Sequence, residues 1–249
     1  MNNKVVIITG GTRGIGLGIA REFLMADYNV IINYHTNETA AKLALSELKT
    51  NKVQAIKADI STEDGRSSLL KQTLDIFGKV DTLVNNAAVA SRLSFLKTNE
   101  QEFDRVFNIN LKAPIFMTKL VVEQMIKQKT GGSIINISSV AGHRPFGIVY
   151  SDSKAALLMA TKNMAAKCAK YAIRVNSITP GTTKTDLNRR LWQDNPDEWD
   201  EHIKNSIPLG KAAKTSDIGK AAVFLASDAA AQICGSDLVI DGGYLSKRL

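Results

Sequence analysis

The chain has 249 residues, 44% of them hydrophobic, enough for one large domain with a substantial core and too apolar for general disorder. It carries 32 Lys and Arg against 24 Asp and Glu, a formal charge of +8, but the cations are dispersed and few aromatics interleave with them. That pattern argues against nucleic-acid binding and for a solvated basic surface with a few cations serving an anionic ligand.

No apolar run reaches the roughly 18 residues that span a bilayer, and Met1-Asn-Asn-Lys4 leads straight into a strand without a signal-peptide pattern. Cys168, Cys234 and three scattered histidines lack metal-ligand spacing. Reduced thiols, a cytoplasmic setting, no membrane and no metal are therefore expected.

Short β-branched runs alternate with longer amphipathic stretches. Strands are predicted at Lys4–Thr9, Asn29–Tyr34, Val53–Ala58, Val80–Asn85, Ser133–Ser138, Ala172–Ile178 and Leu238–Ile240. Most are near-continuous apolar runs, as strands buried on both faces require. Helices are predicted near 14–27, 38–50, 62–77, 100–128, 149–170 and 215–226. The alternation predicts an α/β fold: a parallel sheet, right-handed crossovers and helices on both faces. Nothing splits the chain, so residues 1–249 are expected to form a single domain. The rhythm breaks at Thr182–Pro208, a polar stretch with both tryptophans, which reads as a long functional or mobile loop.

Between the first strand and helix lies Thr9-Gly-Gly-Thr-Arg-Gly-Ile-Gly16. Glycines at 10, 14 and 16 permit a tight turn and close approach of backbone to a pyrophosphate, and the helix behind offers free N–H groups. Gly10, Thr12, Arg13, Gly14, Ile15 and Gly16 are thus candidate cofactor contacts. The second strand ends Ile32-Asn-Tyr-His-Thr-Asn37, with no acid until Glu38. An acid there binds the ribose hydroxyls of NAD and repels the extra phosphate of NADP. Its absence favours NADP(H) over NAD(H), with Tyr34, His35 and Thr36 at that end. Arg13 either pairs with the extra phosphate or is an ordinary surface arginine.

Tyr150-Ser-Asp-Ser-Lys154 opens an Ala- and Met-rich helical stretch. Residues four apart share a helical face. An ammonium beside a phenol stabilises phenolate, so the Tyr150 pKa is expected to fall from its ordinary value of about 10, suiting proton transfer to or from a carbonyl or alcohol oxygen. The alternative is a surface tyrosine beside a solvated lysine.

Taken in order, the Thr9–Gly16 turn, Asn85-Asn-Ala-Ala88, Asn110, Ser138-Ser139, Tyr150, Lys154, Pro180-Gly181 with Thr185, and Asp241-Gly-Gly243 resemble the short-chain dehydrogenase/reductase family over essentially the whole chain, most like 3-oxoacyl-carrier-protein reductases. The resemblance implies a Rossmann-like doubly wound sheet of about seven parallel strands, a nicotinamide cofactor and usually a homotetramer. It implies Tyr150 as proton donor in reduction, Lys154 lowering its pKa and bonding the nicotinamide ribose, Ser139 (or Ser138) holding the substrate oxygen, and Asn110 positioning a water that relays protons from Lys154.

It also implies that Asp59 and Ile60 flank the adenine, that Asn86, Ala87 and Ala88 line the cofactor, and that Pro180, Gly181, Thr183 and Thr185 hold its nicotinamide end. Three features depart from the family pattern. Ala88 stands where glycine is usual, the Ser139-to-Tyr150 interval is about two residues short, and 182–208 is long.

The 182–208 segment is expected to lie over the site as a lid, with Leu187, Leu191, Trp192, Trp199 and Ile203 as its apolar members. Trp192 and Trp199, seven apart, are at a helical repeat spacing that places them on one face, either walling the substrate or packing the lid to the body. His143, Arg144 and Phe146 precede Tyr150 and are further candidate substrate neighbours. Three functions stay open: NADPH-dependent reduction of a 3-oxoacyl-thioester-like ketone; dehydrogenation of a sugar, polyol, steroid or other secondary alcohol; and a non-catalytic dinucleotide sensor.

Overall fold

The computed structural model describes residues 3–91, 93–185 and 188–247. The strands are β1 Val5–Ile8, β2 Asn29–Tyr34, β3 Val53–Lys57, β4 Thr82–Asn85, β5 Gly132–Ile137, β6 Ile173–Pro180 and β7 Asp237–Ile240. They form one seven-stranded sheet in the order β3-β2-β1-β4-β5-β6-β7, every pairing parallel. The four residues of β1 are wholly buried, as expected where helices cover both faces.

The helices are α1 Gly14–Met25, α2 Glu38–Leu48, α3 Glu63–Phe77, α4 Glu100–Phe107, α5 Ala113–Gln128, α6 Ile148–Cys168, α7 Arg189–Gln193, α8 Pro196–Ser206 and α9 Thr215–Ala226. One core cluster joins the sheet to α1 and α9 through Ile19, Phe23, Ile218 and Leu225. The other joins it to α3, α5 and α6 through Leu69, Met117, Val121 and Ala165. Because β1 has β2 on one side and β4 on the other, the connections diverge at the carboxyl ends of β1 and β4 and open a crevice there. No helix among the described residues is long and apolar enough to cross a membrane.

Three expectations are corrected. The helix predicted at 100–128 is interrupted by a π turn at Asn108–Lys112. Pro114 has no N–H to offer the carbonyl four residues back, that of Asn110, so regular α winding fails there. The sixth strand begins at Ile173, since Ala172 is left-handed (φ 57°) and closes the preceding turn. Finally, 182–208 is no plain loop, for it carries α7 and α8, the latter opened by Pro196 in its first turn. Trp192 and Trp199 therefore lie on different helices, yet both join one satellite cluster with Ile203, Ile207, Ala212 and Tyr244.

A buried polar ladder crosses the sheet below its carboxyl edge. Asn85 Nδ2 donates to Thr118 Oγ1 at 3.0 Å and Asn136 Oδ1 at 2.9 Å, while Asn136 Nδ2 donates to Thr161 Oγ1 at 2.8 Å. Thr161 Oγ1 donates in turn to Leu157 O at 2.8 Å, within α6. These groups are buried, and each finds a partner, as buried polar groups must.

Candidate active site

The crevice is built from the glycine turn upward. Gly14, the first residue of α1, has φ +54°, and a side chain on Gly16 would meet Gly10 O at 2.3 Å. No side chain caps the helix start, and the N-cap Arg13 is extended and exposed. The first amides of α1 are thus left for an anionic partner.

Asn86 fastens the turn to the segment after β4. Its Nδ2 donates to Thr9 O at 2.9 Å and Gly10 O at 3.0 Å, and Thr9 Oγ1 accepts from Asn86 N at 3.0 Å and Ala87 N at 3.1 Å. Thr12 is buried and Ile15 packs on the core. Ala88 is exposed and keeps a negative φ, so its methyl needs no glycine conformation.

Beyond β2, Tyr34 is half-buried and His35 and Thr36 are exposed. Asp59 Oδ1 accepts from Ser61 N at 2.9 Å and Ser61 Oγ at 2.7 Å, and Oδ2 lies 3.6 Å from His35 Nε2. Burial pushes the Asp59 carboxyl up, but these hydrogen bonds and His35 outweigh it and hold the group below its ordinary value. Ile60 is buried, and its carbonyl accepts Arg66 Nη1 at 2.8 Å. The turn glycines, the free amides and this pocket together suit a dinucleotide.

Ser138 and Ser139, adjacent at the end of β5, face different partners. Ser138 Oγ donates to Lys154 O at 3.2 Å and is buried. Ser139 Oγ accepts from Ala141 N at 3.1 Å and lies near enough to the Tyr150 phenol to favour its ionised form. Tyr150 and Lys154 are on α6.

Lys154 is 2% exposed and its Nζ donates to Ile137 O at 2.8 Å, lying 5.8 Å from the Tyr150 ring centre. Burial draws the Lys154 pKa down to about 8. Burial also raises the Tyr150 pKa, with Ser139 offsetting only part. The expected fall of the phenol pKa is thus reversed, because desolvation of phenolate outweighs a cation aimed at a backbone carbonyl.

Asn110, wholly buried in the π turn, spends its side chain on the protein. Nδ2 donates to Val89 O at 2.9 Å and Ser153 Oγ at 3.0 Å, and Oδ1 accepts Val89 N at 2.9 Å. Ser153 Oγ donates to Tyr150 O at 2.7 Å. The implied water-positioning role thus finds both side-chain donors already engaged. What this side chain does is couple the segment after β4 to the helix that carries Tyr150.

At the end of β6, Gly181 N donates to Ile240 O at 2.9 Å, and Thr183 Oγ1 donates to Gly181 O at 3.1 Å. Thr185 lies against the glycine turn, its Cβ 3.5 Å from where a Gly14 side chain would begin. Trp192 Nε1 donates to Thr185 O at 3.3 Å and Asn188 Oδ1 at 3.2 Å.

Of the candidate substrate neighbours, His143 Nε2 meets Asp237 Oδ2 at 2.8 Å, and Arg144 stacks on Tyr244 at 4.8 Å. Phe146 is 82% exposed. These three line an open groove of about 640 Å³ with Pro145, Ile148 and Asp152, and Tyr150 is not part of its wall. Leu187 and the side chain of Leu191 lie outside the described residues.

Arg66, Ser153, Asn188 and Asp237 were not singled out from sequence. Each acts through a tertiary or turn contact that leaves no periodic trace; for Arg66 a cation on an expected helix was the only signal.

Residues 10–245 match a family model described as enoyl-(acyl carrier protein) reductase. The chain is 36% identical to L-rhamnose-1-dehydrogenase of Scheffersomyces stipitis, over 98% of this chain and 96% of that one. It is 37% identical to galactitol 2-dehydrogenase of Agrobacterium fabrum, over 98% of each. It is 34% identical to the 3-oxoacyl-[acyl-carrier-protein] reductase FabG of Staphylococcus epidermidis, over 97% of this chain and 98% of that one. A short-chain type dehydrogenase/reductase from Mycobacterium marinum superposes with a TM-score of 0.89 at 30% identity, covering 98% of this chain and 96% of that one. With its dinucleotide crevice and its Ser139, Tyr150 and Lys154 in one place, the chain belongs to the short-chain dehydrogenase/reductase family of NAD(P)-dependent oxidoreductases.

Proposed function

We propose that this enzyme reduces a ketone to a secondary alcohol with NADPH, a 3-oxoacyl thioester being the leading substrate class. The observation that carries the chemistry is a buried Lys154 one turn along α6 from Tyr150, with Ser139 at the adjoining end of β5. When bound, the cofactor supplies the hydride. The amides of α1 hold its phosphates, Arg13 meets the extra phosphate of NADP, Asp59 and Ile60 flank the adenine, and Pro180, Gly181, Thr183 and Thr185 hold the nicotinamide end.

Ser139 holds the substrate oxygen where negative charge grows. Tyr150, its pKa raised by burial, carries its proton at neutral pH and gives it to that oxygen. Lys154, a buried cation 5.8 Å from the Tyr150 ring centre, supports the developing phenolate. The thioester class is supported by the likeness to a 3-oxoacyl-[acyl-carrier-protein] reductase and by a basic chain suited to an acidic carrier.

A second reading, a sugar or polyol dehydrogenase, is supported equally by the galactitol and rhamnose enzymes and by the long α7–α8 segment. A mere dinucleotide sensor has no use for the Ser139–Tyr150–Lys154 arrangement. Oxidation of NADPH by acetoacetyl thioester, set against reduction of NADP+ or NAD+ by a panel of sugars and polyols, separates the two catalytic readings. Turnover of neither set sinks both.

In this proposal residues 1–249 act as a single domain in the cytoplasm, with 182–208 as a lid. The exposed Phe103 and Phe116 of α4 and α5, with Ile148 and Met159 of α6, favour a homotetramer. Sedimentation at working concentration tests it, and a monomer refutes it.

A further inference from the structure

The segment between β6 and α7 must present Thr185 to the glycine turn, yet it belongs to no sheet. Among the described residues its backbone is tied to the rest of the chain by the bridge of Thr183 with Ala213, extended by Lys184 N to Ala213 O at 3.3 Å and Ala213 N to Thr182 O at 2.9 Å. These bonds hold Thr182 to Lys184 and stop short of Thr185.

Thr185 is held instead by Asn188, whose backbone N donates to Thr185 O at 3.3 Å and whose side chain adds several further bonds. Asn188 Oδ1 accepts Thr185 N at 2.9 Å, Thr185 Oγ1 at 3.3 Å and Trp192 Nε1 at 3.2 Å. Asn188 Nδ2 donates to Thr183 O at 2.9 Å. An amide side chain offers an acceptor oxygen and two donor hydrogens, and here both ends grip the same short stretch of chain. Trp192 closes the device from α7 by donating to Thr185 O as well, and Lys184 lies over its ring at 5.7 Å.

The far side of Thr185 faces Gly14. Thr185 is thus fixed between the amide of Asn188 and the first residue of α1, the end of the helix that is left open to an anion.

We infer that Asn188 is a positioning residue for the cofactor. It sets the Thr185 hydroxyl and backbone over the glycine turn, and so tunes how tightly the phosphate and nicotinamide end of the dinucleotide is held. The inference rests on the proposal that Thr185 touches the cofactor, and it assigns to Asn188 a role in binding rather than in proton transfer.

Titration of NADPH fluorescence on Asn188→Ala, Thr185→Ala and the double variant tests it, with urea midpoints measured without cofactor. The expected result is about tenfold weaker NADPH binding in each single variant, little further loss in the double variant, and an unchanged urea midpoint in Asn188→Ala. In turnover the change falls on the KM for NADPH more than on kcat.

Wild-type affinity in Asn188→Ala beside a weakened Thr185→Ala overturns the inference alone, as do fully additive losses. Weakened binding that follows a lowered urea midpoint also overturns it, leaving Asn188 a folding role only. Wild-type affinity in Thr185→Ala instead overturns the reading of Thr185 on which the inference stands. Should Asn188→Ala not fold, Asn188→Ser, whose shorter hydroxyl removes the donor to Thr183 O without adding charge, gives the same comparison.

Discussion

Lys154 Nζ donates to the carbonyl of Ile137 at 2.8 Å, so the last residue of β5 holds the ammonium of α6 in place. With its pKa drawn down to about 8 by burial, this charge costs the folded protein roughly 3 kcal/mol at neutral pH. Below about pH 8 the folded and unfolded chains both keep the proton, and the cost is constant. Between about 8 and the ordinary value of 10.5 the folded protein releases it first, so the contribution of this group to stability rises with pH. Urea titrations from pH 7 to 10 are expected to show that rise in the wild type and not in Lys154→Met. The variant is expected to be at least as stable at pH 7 and to lose about 1,000-fold or more in turnover. An identical pH slope in both proteins refutes the assignment.

The raised pKa of Tyr150 has the opposite consequence for the two directions of reaction. Reduction needs the protonated phenol, so its rate is expected to stay flat through neutral pH and fall only in the alkaline range. Oxidation needs phenolate and is expected to climb with pH over that range. Tyr150→Phe is expected to lower both by about 100- to 10,000-fold. Initial rates across pH in each direction decide, and an oxidation rate that saturates below pH 7 contradicts the raised phenol.

Adjacent serines are expected to separate cleanly. Ser139→Ala removes the hydroxyl beside the phenol and is expected to reduce kcat by about 100-fold or more with little loss of stability. Ser138→Ala removes a buried hydrogen bond to Lys154 O and is expected to cost about 1 kcal/mol in a urea titration while most activity remains. The reverse pattern would exchange the roles of the two residues.

Cofactor choice is expected to rest on the exposed Arg13 at the start of α1. Arg13→Ala should weaken NADPH binding about tenfold, as loss of one phosphate contact allows, and NADH binding by less than about twofold. Equal losses for the two cofactors would deny Arg13 any preference for the extra phosphate.

Strand positions and the glycine turn were open to reading from sequence because buried parallel strands are written as unbroken apolar runs, and the turn that follows β1 needs glycine on steric grounds. The π turn was missed although Pro114 announces it, since apolar residues continue the helical pattern on both sides of that proline. The α7 and α8 helices escaped because Arg189–Gln193 is only five residues long and Pro196–Ser206 is mostly polar, its apolar face being Trp199 and Ile203 alone. The direction of the Tyr150 pKa was misjudged for a different reason. Spacing shows which groups are neighbours, but not how far burial has stripped them of water or where the ammonium is aimed. The partners of Asn110 and Asn188 were likewise invisible, because an amide side chain is satisfied by whatever the tertiary fold brings near it.

The ladder from Asn85 through Asn136 to Thr161 sits about two to three turns along α6 from Lys154 and Tyr150. Were that helix to slide by a single turn, Asn136 would lose its threonine and keep a dry, unanswered amide, a penalty of about 1–3 kcal/mol. The proton-handling helix is in this way indexed to the sheet when the chain first folds. In the proposal that the α7–α8 segment forms the lid, adjustment to differently shaped substrates falls to that segment, whose satellite cluster is separate from both main cores, so one rigid reaction frame can serve many pockets.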